Sequence, residues 1–167
     1  LNVSAGQDIL LGQAGDDNIH GDMSDRILDG GTGNDLLTLH LPITADIVWA
    51  IDPDVDFVTP SGGTVRGFER YNFSTGIGND HLFYRPLVEV HNSTFNLGAG
   101  DDRFTTGWNP ALADQQTSVS AGESDGDDDL LVFDAGGLAT SLSFNSRFDE
   151  FIVARYGVSN NFVSARQ

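Results

Sequence analysis

The chain has 167 residues, of which 39% are hydrophobic and 10% aromatic, so it is long enough to bury one sizeable core. Its formal net charge is -17 at pH 7, which argues against nucleic acid or anionic membranes as partners and favours cations. There is no Cys, which excludes disulfides and thiolate metal sites, and no apolar run approaches the roughly 20 residues that a membrane helix needs.

A nine-residue pattern runs in one frame through residues 3–38. One apolar position recurs in every unit, at Leu10, Ile19, Leu28 and Leu37. An aspartate position recurs at Asp8, Asp17 and Asp35, and only Arg26 departs from it. Each unit reads as a glycine-rich turn followed by a very short strand. A flexible acidic linker does not keep an apolar residue at every ninth position, so we predict stacked structural repeats.

Units that alternate between two sides of a flattened roll place every second turn on the same edge, 18 residues apart. Two such turns bring together carboxylates and backbone carbonyls, the hard oxygen ligands that Ca²⁺ prefers. The predicted ligand-bearing residues of this pair of turns are Gly12, Ala14, Gly15, Asp17, Gly30, Thr32, Gly33 and Asp35.

These units resemble the Gly-Gly-x-Gly-x-Asp-x-U-x nonapeptides of the RTX (repeats-in-toxin, haemolysin-type) calcium-binding family. The resemblance implies a parallel β-roll that binds several Ca²⁺ ions. It also implies type I secretion in an unfolded state, and a place in a large adhesin, surface-layer protein, toxin or exoenzyme. Because Leu1 falls within a unit, we expect the chain to be part of a longer protein.

On the opposite edge, Asp8 pairs with position 26, where the family pattern requires Asp and this chain has Arg26. Asp8 remains a candidate ligand, but we expect this edge to bind Ca²⁺ weakly or not at all. The alternative is that Asp25 shifts by one residue and keeps the site.

Residues 39–75 read as a connecting segment with longer strands. Its expected buried residues are Ile43, Ile47, Trp49, Ile51, Phe57, Val65, Phe68, Tyr71 and Phe73. The 45 residues from Asp35 to Asp80 leave room for two coils of about 22, with a turn near residues 52–56. That turn has the first three acids of an EF-hand loop but lacks its Gly and Glu, so an acidic solvated turn is the better interpretation.

Residues 76–167 repeat the glycine and aspartate turn at longer intervals, with aspartates at 80, 102 and 128. We expect these turns to stack on one edge as a second calcium column, pairing Asp80 with Asp102 and Asp102 with Asp128. The predicted ligand-bearing residues are Gly76, Gly78, Asp80, Gly98, Gly100, Asp102, Gly126 and Asp128. A fourth rung around Asp149 and a set of aromatic residues are expected to close the core as a cap: Phe144, Phe148, Phe151, Tyr156 and Phe162.

The predicted fold is therefore all-β, a parallel β-roll or β-solenoid with calcium-binding Gly/Asp turns stacked along its edges and a cap at the C-terminal end. Residues 1–38 form the nonapeptide β-roll, 39–75 the connecting segment and 76–167 the second column and cap, as one continuous solenoid. The function expected is a calcium-binding structural module of a secreted or cell-surface protein, with neighbouring domains of the parent chain as partners.

Catalysis is not expected, because the four His show no metal-ligand spacing and neither a Cys nucleophile nor Gly-x-Ser-x-Gly occurs. Two alternatives stay open. One is a calcium-dependent carbohydrate-binding or adhesion module that uses aromatics such as Trp49, Trp108 and Tyr84, although these side chains fit a core better. The other is an accessory part of a polysaccharide-modifying enzyme.

Overall fold

The computed structural model describes residues 6–41, 44–85, 92–107, 117–121, 128–134 and 150–154, and all regular structure in these ranges is strand. The strands are β1 (Ile9–Leu11), β2 (Asn18–Gly21), β3 (Ile27–Asp29), β4 (Leu36–His40), β5 (Val48–Ile51), β6 (Phe57–Val58), β7 (Thr64–Arg66), β8 (Arg70–Ser74), β9 (His81–Tyr84), β10 (Ser93–Asn96), β11 (Arg103–Gly107), β12 (Thr117–Ser120), β13 (Leu130–Asp134) and β14 (Glu150–Ala154). Within these ranges there is no helix that is long and apolar enough to cross a membrane.

The strands form three sheets that are almost entirely parallel. Sheet I has the order β1-β3-β7-β6, sheet II the order β2-β4-β8-β10-β12, and sheet III the order β5-β9-β11-β13-β14. Only β6 and β7 pair antiparallel, through a short turn in which the Thr59 N–H donates to the Gly63 carbonyl. The coarse prediction of an all-β fold is confirmed.

The chain passes from one sheet to another between most consecutive strands, and only the pairs β6–β7 and β13–β14 of the described strands stay within one sheet. From β1 to β5 it runs from sheet I to sheet II, back to sheet I, again to sheet II and then to sheet III. Because all five strands of sheet II are parallel, the turns that precede them lie at one end of the strands and the turns that follow them lie at the other end. We call these two strand-end sides the edges of sheet II. The acidic turns therefore occupy two opposite edges of sheet II.

The core explains why the strands are so short. Leu10, Ile19, Leu28 and Leu37 are buried, as predicted, each at the inward position of its own strand. Their neighbours point outward, so each nine-residue unit contributes one large apolar side chain to a shared core. No single unit buries enough apolar surface to be stable alone, and stacking supplies the rest.

Aromatic side chains fill the core from β5 onward. Trp49 stacks on Phe73 with ring centroids 5.0 Å apart, and Phe95 lies 4.8 Å from Tyr84 and 5.0 Å from Phe104. The predicted buried residues of the connecting segment are all buried where the structure describes them. Ile43 lies outside the described residues, as do Trp108 and the expected cap residues Phe144, Phe148, Tyr156 and Phe162.

The register corrects the predicted coil length in the middle of the chain. Leu36 pairs with Arg70, which places Glu69 beside Asp35, 34 residues along the chain. Val48 pairs with His81, so the rung before Asp80 begins at residues 46–48, 33 residues earlier. Asp35 and Asp80 lie at opposite edges of sheet II. The residues between Asp35 and Asp80 therefore do not form two coils of one column. After β4 the chain passes through β5, β6 and β7 before it returns to sheet II at β8.

Two buried tyrosines predict how the fold responds to alkali. Burial raises the pKa of Tyr84 to about 12 and raises the pKa of Tyr71 further. Both values exceed the unfolded value of about 10, so these residues cost no stability below pH 10. As the pH rises above 10, ionisation favours the unfolded chain and stability falls.

Absorbance at 295 nm should therefore show two of the three tyrosines ionising only together with loss of the β-sheet circular dichroism signal. The variant Tyr84→Phe should lose one of the two late-titrating groups. Ionisation of both tyrosines near pH 10 with an unchanged dichroism spectrum contradicts the burial.

Candidate functional site: stacked acidic turns

The turns at residues 12–17 and 30–35 lie directly on one another at the edge where strands enter sheet II. Ala14 and Thr32 form a parallel bridge, and the Gly15 N–H donates to the Thr32 carbonyl at 2.9 Å. The Thr32 N–H donates to the Gln13 carbonyl at 2.8 Å. All eight residues predicted for this pair of turns are thus brought together.

Two ladders of side-chain hydrogen bonds connect these turns in opposite directions. The Asp17 N–H donates to Asp35 Oδ1 at 2.7 Å, so the buried acid of the second turn holds the first. The Asn34 N–H donates to Asp16 Oδ1 at 3.0 Å, so the exposed acid of the first turn holds the second. The last position of a turn, occupied by Asp35, therefore places its acid inside the stack, and the position before it, occupied by Asp16 in the first turn, places its acid at the surface.

The inner acid has an oxygen left over. Asp35 is 0% exposed, and its Oδ2 atom is buried without a hydrogen-bond partner. A buried carboxylate oxygen with no donor is costly, and the cost is offset by a positive charge or a proton. Asp35 is therefore the acid of this column at which a positive charge or a proton would offset a burial cost.

A second pair of turns repeats this arrangement at the opposite edge of sheet II, at residues 76–80 and 98–102. The Ala99 N–H donates to the Gly76 carbonyl at 3.1 Å, and the Asp80 N–H donates to Asp102 Oδ1 at 2.8 Å. The outer ladder continues with the Asp101 N–H donating to Asn79 Oδ1 at 3.0 Å. All six residues predicted for these two turns lie together.

Asp80 resembles Asp35 in its surroundings. It is 1% exposed, and its Oδ1 atom accepts the Ile47 N–H at 2.9 Å. Among the described residues its Oδ2 atom has no hydrogen-bond partner, and the hydroxyl of neighbouring Thr75 donates to the Leu97 carbonyl. Each column therefore contains a buried aspartate with one unused oxygen.

The third turn of the second column is shifted by one residue from the predicted position. The Asp102 N–H donates to Asp129 Oδ1 at 2.9 Å, so Asp129 and not Asp128 stacks on Asp102. Asp128 belongs to the outer ladder, where its N–H donates to Asp101 Oδ1 at 2.9 Å. Three aspartates in a row allowed either alignment, and the inward position of Leu131 decides it. Gly126 lies outside the described residues.

The turn that contains Arg26 has kept a buried acid by the same kind of shift. The register places Arg26 beside Asp8, and its exposed side chain leaves the stack. Asp25 is 1% exposed, and its two oxygens accept the Asp8 N–H at 3.2 Å and the Asp22 N–H at 2.8 Å. Unlike Asp35, Asp25 has both oxygens hydrogen-bonded within the protein.

Two members of the ladders were missed from the sequence. Glu69 Oε2 accepts the Asp35 N–H at 2.8 Å, which places a glutamate where the pattern has aspartate. Asp46 Oδ1 accepts the Asn79 N–H at 2.9 Å. Neither is preceded by a glycine-rich turn, and the signal that identifies them is strand register, which a nine-residue frame does not provide.

The buried carboxyl groups favour protons when no cation balances them. Burial is the main cause that raises the pKa of Asp35, and the charges of Asp17 and Asp16 raise it further. Burial likewise raises the pKa of Asp80, more than the polar groups of Thr75 and Ile47 beside it lower it. Charged carboxylates at these positions therefore destabilise the fold unless positive charge is supplied.

Within the described ranges, no group of three or more His, Cys, Asp or Glu side chains is placed to hold a metal ion. The stacked turns contain carboxylates and backbone carbonyls, which are oxygen donors only. Such all-oxygen sets suit Ca²⁺, and the unused oxygens of Asp35 and Asp80 fit a cation.

Comparison with protein-family models, with curated proteins and with solved structures found no match to this chain. The resemblance to the RTX repeats therefore remains a prediction from the sequence.

The close approach of the turns predicts the effect of a single methyl group. A Cβ atom on Gly30 would overlap the Gly67 carbonyl oxygen of the next rung, whereas Gly62 has open space around it and a φ of +94°. Gly62→Ala should cost about 1 kcal/mol from backbone strain alone. Gly30→Ala should cost about 3 kcal/mol or more, because backbone must move. Urea denaturation of both variants measures the difference, and equal costs contradict the stacking.

Asp25 and Arg26 give a second matched pair. Asp25→Ala leaves the N–H groups of Asp8 and Asp22 without acceptors, and should destabilise the fold by about 1–3 kcal/mol per unsatisfied group. Arg26→Ala changes an exposed side chain and should stay within about 0.5 kcal/mol. The reverse order in thermal or urea unfolding contradicts the assignment of the buried acid to Asp25.

Proposed function

We propose that this chain is a calcium-binding structural module of a larger secreted or cell-surface protein, and that it folds when it binds Ca²⁺ after export. The observation that carries the proposal is the pair of buried aspartates, Asp35 and Asp80, each with an oxygen that no donor among the described residues satisfies. Strand order and register support the finer architecture proposed with it, a parallel β-solenoid whose successive rungs are joined at the Gly/Asp turns.

The residues that would hold the cation are those of the stacked turns. At the first column they are the carboxylates of Asp17 and Asp35 with carbonyls of turns 12–17 and 30–35. At the second column they are Asp80 and Asp102 with carbonyls of turns 76–80 and 98–102. A bound Ca²⁺ supplies positive charge and accepts six to eight oxygen ligands, which matches a donor set made of oxygens alone.

Coupling to folding follows from the charge balance of the chain. The net charge of -17 is concentrated in aspartates that the fold places in adjacent turns. Without a cation, repulsion between these carboxylates and the burial of Asp35 and Asp80 both favour an expanded chain. Extracellular calcium modules bind with dissociation constants of roughly 10⁻⁴ to 10⁻³ M, well above the free level inside cells. A chain with this affinity stays unfolded until export.

Nothing in the structure favours the alternative of a carbohydrate-binding module that uses exposed aromatics. Trp49 is 4% exposed and Tyr84 is 0% exposed, and both contribute to the core. Trp108 lies outside the described residues. We propose no catalytic residue.

The variant Asp35→Asn separates the two roles of this position. The amide oxygen still accepts the Asp17 N–H, but the charge and one strong ligand are lost. We expect calcium affinity at the first column to fall about tenfold or more. In chelator, stability should rise by on the order of 1 kcal/mol, because an uncompensated buried charge is removed.

Calorimetric Ca²⁺ titration measures the first effect, and circular dichroism with chelator against millimolar Ca²⁺ measures the second. Asp56→Asn is the matched control, since Asp56 is exposed and lies outside both columns, and it should change neither. An unchanged β spectrum of the wild-type chain on chelation overturns the proposed function.

A further inference from the structure

The first column ends at an arginine. On its far side, turn 30–35 meets the short connection at residues 67–69 instead of another six-residue turn. The Gly30 N–H donates to the Arg66 carbonyl at 3.0 Å, and Asp35 lies beside Glu69. Three residues connect β7 to β8, whereas six residues connect the strands at turns 12–17 and 30–35. This connection therefore presents fewer backbone carbonyls to a cation.

Side chains from the start of β8 satisfy this far side. Glu69 Oε2 accepts the Asp35 N–H at 2.8 Å, and Arg70 Nη2 donates to the Asn34 carbonyl at 3.0 Å. Arg70 is half-buried, and the Asp35 carbonyl accepts its N–H at 3.0 Å. The guanidinium thus lies against a turn carbonyl one residue from the buried acid.

The side chains of Arg70 and Arg66 make different contacts. Arg66 makes an ion pair with Asp29, with Nη2 2.8 Å from Oδ2. Within the described ranges Arg70 has no such pair, and its Nε atom is buried without an acceptor. Its positive charge lies beside the backbone of turn 30–35, as the charge of a bound cation would. The carboxylates of Asp16, Asp17 and Asp35 belong to these stacked turns and make their surroundings negative.

We propose that Arg70 takes the place of a cation on the far side of turn 30–35, so that the first column holds one exchangeable cation and ends there. This inference rests on the proposed calcium function. It deepens that function by fixing where the column stops and which group of the protein replaces the ion. A guanidinium supplies a permanent positive charge and N–H donors to carbonyls near its own plane, whereas Ca²⁺ needs six to eight oxygens around it.

The test counts bound Ca²⁺ per chain by equilibrium dialysis and metal analysis at saturating Ca²⁺. Arg70→Asp replaces the charge with a carboxylate beside Glu69 and the Asn34 carbonyl, and should raise the count by one. Arg70→Lys keeps a cation and should leave the count unchanged. Arg66→Asn removes an arginine charge that pairs with Asp29 and does not contact the Asn34 carbonyl, and it should also leave the count unchanged.

Arg70→Asn, which offers a neutral oxygen, is counted in the same way in case the aspartate variant fails to fold. Folded variants of both kinds that keep the wild-type count overturn the role of Arg70 alone. Failure of both to fold in saturating Ca²⁺ overturns it as well, because Ca²⁺ then does not replace the guanidinium. A wild-type chain that binds no Ca²⁺ overturns the proposed function itself.

Discussion

Burial of aspartate carboxylates beneath stacked backbone turns is the interaction on which the rest of this structure depends. Asp35 and Asp80 lie inside the stack because the N–H groups of Asp17 and Ile47 need acceptors there. The same burial leaves each residue with an oxygen that the protein does not satisfy. The turns are thus held together by groups whose charge opposes their own burial, a cost that the proposed cation, or a nearby guanidinium, would offset.

Because these acids lie at both edges of sheet II, their charge state affects the packing of the whole sheet. One column precedes β2 and β4 and the other follows β8 and β10, so stacked acidic turns lie at both ends of sheet II. Between them, the inward side chains form one continuous core from Leu10 to Leu131. Loosening a turn therefore exposes core on both sides of it, which couples the charge state of a few aspartates to the packing of the whole sheet.

The sequence predicted the parts of the fold that repeat with a fixed period. The apolar column of Leu10, Ile19, Leu28 and Leu37 and the stacking of Asp17 on Asp35 follow from nine-residue spacing alone. Where the period is lost, spacing no longer decides which residues are neighbours. The register of Glu69 beside Asp35 depends on a long excursion through β5 to β7. Three aspartates are consecutive at positions 127–129. The inward position of Leu131 determines that Asp129 is the one that stacks on Asp102.

Three acids show that burial alone does not create a demand for a cation. Asp25 and Asp35 are equally buried, yet Asp25 has both oxygens satisfied by N–H groups and Asp35 has one. Glu69, with a longer side chain, reaches the Asp35 N–H from a connection that lacks a full turn. What distinguishes the two turns is therefore the number of N–H groups that the backbone aims at the buried acid. In the turn with Asp25, the residue three positions earlier supplies the second N–H. Among the described residues, the second oxygen of Asp35 has no such donor, so under the proposed function this is the turn whose folding a bound cation would assist.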